Sequence, residues 1–263
     1  MTTTIAVAGK GGTGKTTICA LVIRTLTGRN LGPVLAIDAD PSSNLNLALG
    51  LELDDRETVG HIREDMLEQV QEQTVGGVMA GGLVSGLTKS DYFDYHIRSI
   101  VVEGHDIDLL AMGRPEGPGC YCPANNALRV VLERISSQYP FVVMDNEAGL
   151  EHLSRRTTRD VDHLLIVSDP TQRGLVAARR VADLIDELNI TVKQAHIILN
   201  RLPTPDVPPA LLATVRDIGL PLLAVIPEDR NLQQLEYSGQ PVVDLPPGSP
   251  LVEAVTTLTK QLV

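Results

Sequence analysis

The run Gly9-Lys10-Gly11-Gly12-Thr13-Gly14-Lys15-Thr16 holds the residues with the clearest chemistry. Apolar Ile5-Ala6-Val7-Ala8 precedes it, and Thr17-Ile18-Cys19-Ala20-Leu21-Val22-Ile23 follows with the pattern of a helix. Strand, glycine loop and helix in this order are the setting that a G-x-x-x-x-G-K-[ST] phosphate loop requires. The glycines let backbone N–H groups turn inward into a nest for anionic oxygens. The helix N-terminus adds its positive end. In such a loop Lys15 reaches the β- and γ-phosphates and the Thr16 hydroxyl ligates Mg²⁺.

Carboxylates and thiols form the other chemistry-bearing groups. Asp38 and Asp40 close the apolar run Val34-Leu35-Ala36-Ile37. Asp145 closes Phe141-Val142-Val143-Met144, the arrangement in which a carboxylate holds a water on Mg²⁺ or the Thr16 hydroxyl. Cys120 and Cys122 sit among glycine and proline, so the sequence predicts an exposed, turned loop. In an extended step, side chains at i and i+2 face the same way. A tetrahedral thiolate site needs four ligands, which two such pairs supply across a dimer axis. Zn²⁺ and an iron–sulfur cluster both fit that ligand set, and Ni²⁺ fits if the thiolates flatten around it. Cys19 falls on the sheet-facing side of the first helix and reads as packing.

These groups need a scaffold of parallel strands. Strand-like runs recur at Ile5–Ala8, Val34–Ile37, Ile107–Met112, Phe141–Asp145, Leu164–Ser168, Ala195–Asn200 and Leu222–Ile226. Helical patterns lie between them: Lys15 to Thr27, a short Asn44–Leu49, Ala127 to Ser136, Gln172 to Leu188, Asn231–Tyr237 and Pro250–Leu262. Arg56 to Gln73 is charged and helical in pattern, and Thr74 to Lys89 is glycine-rich and reads as mobile surface. The alternation predicts one α/β domain over residues 1–263, a single doubly wound, mostly parallel sheet with helices on both faces. Carboxylates at the C-terminal ends of its strands stand where such sheets bind ligands.

Composition agrees. Apolar residues make up 43% of the chain but aromatics only 3%, so the core must be aliphatic, as in parallel strands buried on both faces. The net charge of −11 argues against non-specific nucleic acid binding and against anionic membranes. No apolar stretch has the length of a membrane span, no signal peptide is visible, and three cysteines make no disulfide framework. A cytoplasmic location with free thiols is expected.

The second lysine, Lys10, carries a resemblance. A G-K-G-G-x-G-K-[ST]-T loop, closed here by Thr17, resembles the deviant Walker-A ATPases: MinD and ParA, ArsA and the nitrogenase iron protein. The resemblance implies a P-loop NTPase that binds and hydrolyses ATP with Mg²⁺ and releases ADP. It also implies a homodimer in which Lys10 reaches the partner's phosphates. Asp38-Ala39-Asp40-Pro41 matches switch I, with Asp40 orienting the attacking water and Asp38 supporting the Mg²⁺ shell. Asp145-Asn146-Glu147-Ala148-Gly149 resembles switch II, with Gly149 as the hinge near the γ-phosphate. Leu150 to Arg159 would move with the nucleotide, and Arg155, Arg156 and Arg159 read as a solvated basic face. Asn200-Arg201 matches the position that holds adenine, and Pro227-Glu228 the other side of the base.

Lys10, Gly-Cys-Tyr-Cys-Pro-Ala-Asn and Asp-Asn-Glu-Ala-Gly-Leu-Glu-His together look like the CooC family, with Thr13 where many relatives carry Val. That family's ATPases assist nickel insertion into carbon monoxide dehydrogenase. The likeness implies Ni²⁺ or Zn²⁺ at Cys120 and Cys122 of a dimer, and as client the apo-dehydrogenase or a related nickel enzyme. Two alternatives stand beside it: an iron–sulfur reductase like the nitrogenase iron protein, and a positioning ATPase of MinD or ParA type. Iron-protein ligand cysteines lie far apart in sequence, unlike this pair. The C-terminal segment, with one Lys and one Glu, lacks the basic face of a membrane helix.

Overall fold

The computed structural model describes residues 2–42, 44–54, 56–65, 89–113, 122–147, 160–188, 191–204 and 206–263. One eight-stranded sheet runs through them. Its strands are β1 (Thr3–Gly9), β2 (Val34–Asp38), β3 (Val102–Glu103), β4 (Ile107–Ala111), β5 (Phe141–Asp145), β6 (Asp160–Ser168), β7 (Thr191–Leu202) and β8 (Leu222–Pro227). The order is β3-β4-β2-β5-β1-β6-β7-β8, and every pairing is parallel except β3 with β4 at one edge. From β1 the chain crosses to one side to make β2, and from β5 it crosses back to make β6. The C-terminal end of β1 is therefore a switch point, where a crevice opens.

Alternation along β1 builds two cores. Ala6 and Ala8 face one layer with Leu35, Ile37, Leu110 and Met144, while Ile5 and Val7 face the other with Ala36, Val143 and Leu165. The first layer is covered by α3 (Lys89–Ser99), α4 (Cys122–Ser136), α5 (Gln172–Glu187) and α6 (Pro209–Ile218). The second is covered by α1 (Lys15–Gly28), α2 (Leu45–Leu49), α7 (Arg230–Ser238) and α8 (Pro250–Thr259). Helix α1 is buried almost all round because α8 packs over it, so Ile18, Leu21, Ile23 and Leu26 are buried. Burial of each such side chain contributes about 1.5–3 kcal/mol. The apolar face of α8, Leu251, Val255 and Leu258, is likewise buried, so this helix is an ordinary part of the core. Among the described residues no helix is long and apolar enough to cross a membrane.

The expected strands are all present, several of them longer than the apolar runs. β6 and β7 extend into polar Asp160 and Thr191, which a reading by apolar runs stops short of. Among the described residues four elements were not anticipated: the two-residue edge β3, α3, α6 and a 3₁₀ turn at Val242–Asp244. Helix α3 begins at Lys89, where a mobile segment was expected to end. Of the charged stretch Arg56 to Gln73, residues 59–65 are helical while Arg56 lies in a turn, and 66–73 fall outside the described residues, as do 74–88. Helix α4 starts at Cys122, five residues before the expected Ala127. The expected extended step from Cys120 to Cys122 lies mostly outside the described residues, with only its last residue, Cys122, described and helical.

On β6 and β7 the rings of His163 and His196 stack with centroids 6.1 Å apart. His163 Nδ1 and both nitrogens of His196 are buried without a hydrogen-bond partner. Burial holds both imidazoles below the ordinary 6.5, with Asp162 opposing it at His163 and His163 adding to it at His196. A fold that prefers the neutral form keeps its full stability above pH 6.5 and loses it as pH falls through the lowered values. Thermal unfolding between pH 7.5 and 5 should therefore fall more steeply in the wild type than in His196→Phe. Equal slopes would contradict this.

Candidate nucleotide site

Backbone geometry shapes the loop after β1. Gly9 has φ 147°, and a Cβ there would lie 2.2 Å from the Val167 carbonyl oxygen, so β6 passes against bare backbone. Gly14 occupies the N-cap of α1 with φ 90° and offers no side chain to cap it. The first N–H groups of α1 are thereby left for an anion. Between them, the Lys10 carbonyl accepts from the Thr13 hydroxyl at 2.8 Å and from Lys15 Nζ at 3.5 Å. Thr13 is not equivalent to Val here, because its buried hydroxyl closes the turn. Lys15 is folded over the loop and only 7% exposed, whereas Lys10 is exposed. Gly11, Gly12, Thr16 and Thr17 complete the cradle.

Register brings the carboxylates together. Asp38 and Asp145 are partners across β2 and β5, with Asp145 on the strand next to β1 and Asp38 one strand further from the loop. The Thr16 hydroxyl donates to Asp145 Oδ2 at 2.5 Å. Asp145 Oδ1 is buried with no partner, and burial pushes this carboxyl up to about 6. An orphaned buried oxygen beside a Thr hydroxyl fits a hydrated Mg²⁺, which Thr16 and Asp145 would hold. Asp38, pushed up to about 7 by burial, accepts from the backbone N–H of Leu45 at 2.9 Å and of Asp40 at 3.1 Å. Both its oxygens are used to fold the 38–45 turn and start α2. Asp40, more exposed, accepts from Ser42 N–H at 2.8 Å through one carboxylate oxygen. Cys19 is buried in α1 with its thiol 3.7 Å from the Met144 carbonyl, in keeping with a packing role.

A cavity of about 290 Å³ opens beside the loop, lined by Gly14, Thr17, Asn200, Arg201, Pro227 and Glu228 among others. The loop and the two proposed base-side dipeptides, distant in sequence, therefore share one wall-to-wall space. Sequence reasoning missed Leu232 and Gln233 of α7 and Leu251 of α8, which also line it. It missed Asp229 too, whose carboxylate accepts from Asn231 N–H, Leu251 N–H and the Ser249 hydroxyl, joining the starts of α7 and α8. An Asp directly ahead of a helical pattern is an N-cap signal that could have found it. Asn146, buried, ties the end of β5 to the Val7 carbonyl.

Several expected residues fall elsewhere. Cys120, Gly149, Arg155, Arg156 and Arg159 lie outside the described residues, and for Cys122 only the backbone is described. Among the described residues no group of three or more His, Cys, Asp or Glu side chains could hold a metal ion.

Comparison with known proteins agrees with this geometry. The CobQ/CobB/MinD/ParA nucleotide binding domain family matches residues 4–242. An ATP-binding protein of Methanocaldococcus jannaschii is 38% identical over 259 residues, spanning 98% of this chain and 98% of its own. The carbon monoxide dehydrogenase accessory protein CooC of Rhodospirillum rubrum is 33% identical over 246 residues, spanning 92% and 90%. Among solved structures, MinD of Pyrococcus horikoshii complexed with Mg-ADP aligns with TM-score 0.64 at 24% identity, over 99% of this chain and 96% of that one. A ParA family ATPase of Chlorobium tepidum aligns with TM-score 0.70 at 21% identity, over 100% and 99%. Likeness at these identities bears on the fold.

Proposed function

Because the chain belongs to the CobQ/CobB/MinD/ParA nucleotide-binding family, and within it to the CooC kind, we propose that it is an ATP-hydrolysing metallochaperone. Its cargo is nickel, and its client is apo carbon monoxide dehydrogenase or a related nickel enzyme. The observation that carries this reading is the end-to-end similarity to an accessory protein of that dehydrogenase, in a chain that also has Cys120 and Cys122. Lys15 and the loop N–H groups bind the phosphates; Thr16 and Asp145 would hold a Mg²⁺, which when bound would supply charge neutralisation there. Asp40 aligns the attacking water. Positioning and charge stabilisation then supply most of the rate.

ATP closes two copies on each other. In support, Lys10 borders an open groove with Arg173, Val176 and Arg180 of α5, and Val176 is 50% exposed. A cationic stripe facing its own copy repels itself until phosphates lie between, which makes closure depend on nucleotide. Closure pairs Cys120 and Cys122 with those of the second copy as thiolate ligands for Ni²⁺ or Zn²⁺. The bound metal is cargo, released to the client as the dimer opens.

The test is metal content after anaerobic purification. Cys120→Ser and Cys122→Ser should each lose stoichiometric Ni²⁺ or Zn²⁺ while ATP binding stays within about twofold. Metal content equal to wild type in both variants would remove the site.

A further inference from the structure

The structure assigns to Asn200 and Arg201 a positioning role on the phosphate loop itself, in addition to any contact with the base. This rests on the reading that the loop binds the phosphates of a nucleotide. The Asn200 side chain is 4% exposed, and its Nδ2 donates to the Thr13 carbonyl at 2.7 Å. Its Oδ1 accepts from the backbone N–H of Arg201 at 2.9 Å. The Arg201 guanidinium donates to the Gly12 carbonyl at 2.9 Å. Two successive loop carbonyls are thus held from outside by two successive residues of β7.

A trans peptide points its N–H opposite to its C=O. Holding the Thr13 carbonyl outward therefore turns the Gly14 N–H toward the cradle, and holding the Gly12 carbonyl fixes the next peptide, whose Thr13 N–H donates to the Lys10 carbonyl at 3.4 Å. The rest of the local geometry serves the same contact. The β7–β8 register shifts between Leu199 and Leu202, at the pair itself, and Arg201 adopts a left-handed φ of 59°. Irregularities of this kind re-aim side chains and are retained where a site needs them. Gly14 completes the fit, since a Cβ there would lie 2.5 Å from Asn200 Nδ2.

A base contact and a loop clamp predict different ligand dependence. The probes are Mg-ATP and Mg-tripolyphosphate, which shares the phosphates and has no base, with binding measured by calorimetry. Asn200→Ala and Arg201→Gly should each weaken both ligands by a similar factor, about tenfold for the loss of one anchoring hydrogen bond. Glycine suits the left-handed position, so Arg201→Gly removes the guanidinium without adding strain. Arg201→Lys, which keeps a donor, should recover most of the loss, an outcome a general folding defect does not produce. Loss of ATP affinity with tripolyphosphate affinity unchanged would overturn the clamp and leave a base contact. A wild-type chain that binds neither probe would instead overturn the nucleotide reading beneath it.

Discussion

Lys15→Ala should bind Mg-ATP about 30- to several-thousand-fold more weakly than the wild type and show no measurable turnover. Truncating one member of a buried, hydrogen-bonded charge pair costs about 2–5 kcal/mol, and the nucleotide's phosphates are the partner this ammonium awaits. Within the chain its Nζ donates to the Lys10 carbonyl at 3.5 Å, and its charge opposes the burial that pushes the Asp145 carboxyl up. The unliganded variant should still unfold cooperatively within a few degrees of the wild type, which separates loss of binding from loss of fold. Equilibrium dialysis with labelled ATP reads the affinity. A loss below about threefold would remove Lys15 from the phosphate contacts.

Asp40→Ala should lower the rate of ATP hydrolysis by about 10²–10⁴, the usual contribution of a positioned acid or base. Affinity for ATP should change little, because the Asp40 carboxylate bonds Ser42 and not the phosphate loop. The variant should accumulate as an ATP-bound dimer, visible as a doubled mass by light scattering. Its structural cost is small, since the carboxylate bonds only the N–H of Ser42, two residues on. Asp38→Ala offers the contrast. Asp38 holds both the 38–40 turn and the start of α2, so its loss should lower stability as well as rate. Normal turnover in Asp40→Ala would take this residue out of the mechanism.

The sheet was readable from sequence because parallel strands buried on both faces are continuous aliphatic runs, and the phosphate loop was readable because its glycines have no substitute. Both rest on strong local constraints. What escaped was local structure that depends on tertiary partners. Helix α6, from Pro209 to Ile218, buries only Leu211 and Val215, and a pattern so thin is hard to tell from a loop. The double use of Asp229 depends on two helix starts twenty residues apart meeting in space. Arg201 could be placed at the site by resemblance. Its bond to Gly12 follows from a bulge and a left-handed backbone that no spacing rule reveals. The carboxylates divide in the same way: Asp145 faces the loop as its position at a strand end suggests, whereas Asp38 serves the backbone first.

The most direct test of a nucleotide-gated, shared metal site measures mass and metal together, under anaerobic conditions, with and without ATP. Light scattering on the eluting protein with elemental analysis of the same fractions gives both. The account predicts a dimer in ATP carrying about half a Ni²⁺ or Zn²⁺ per chain, with the metal lost in Cys122→Ser. Iron accompanied by sulfide in place of nickel or zinc would contradict the metallochaperone and favour an iron–sulfur reductase. A dimer without metal in any nucleotide state would contradict the shared site and leave a dimerising ATPase with no nickel role.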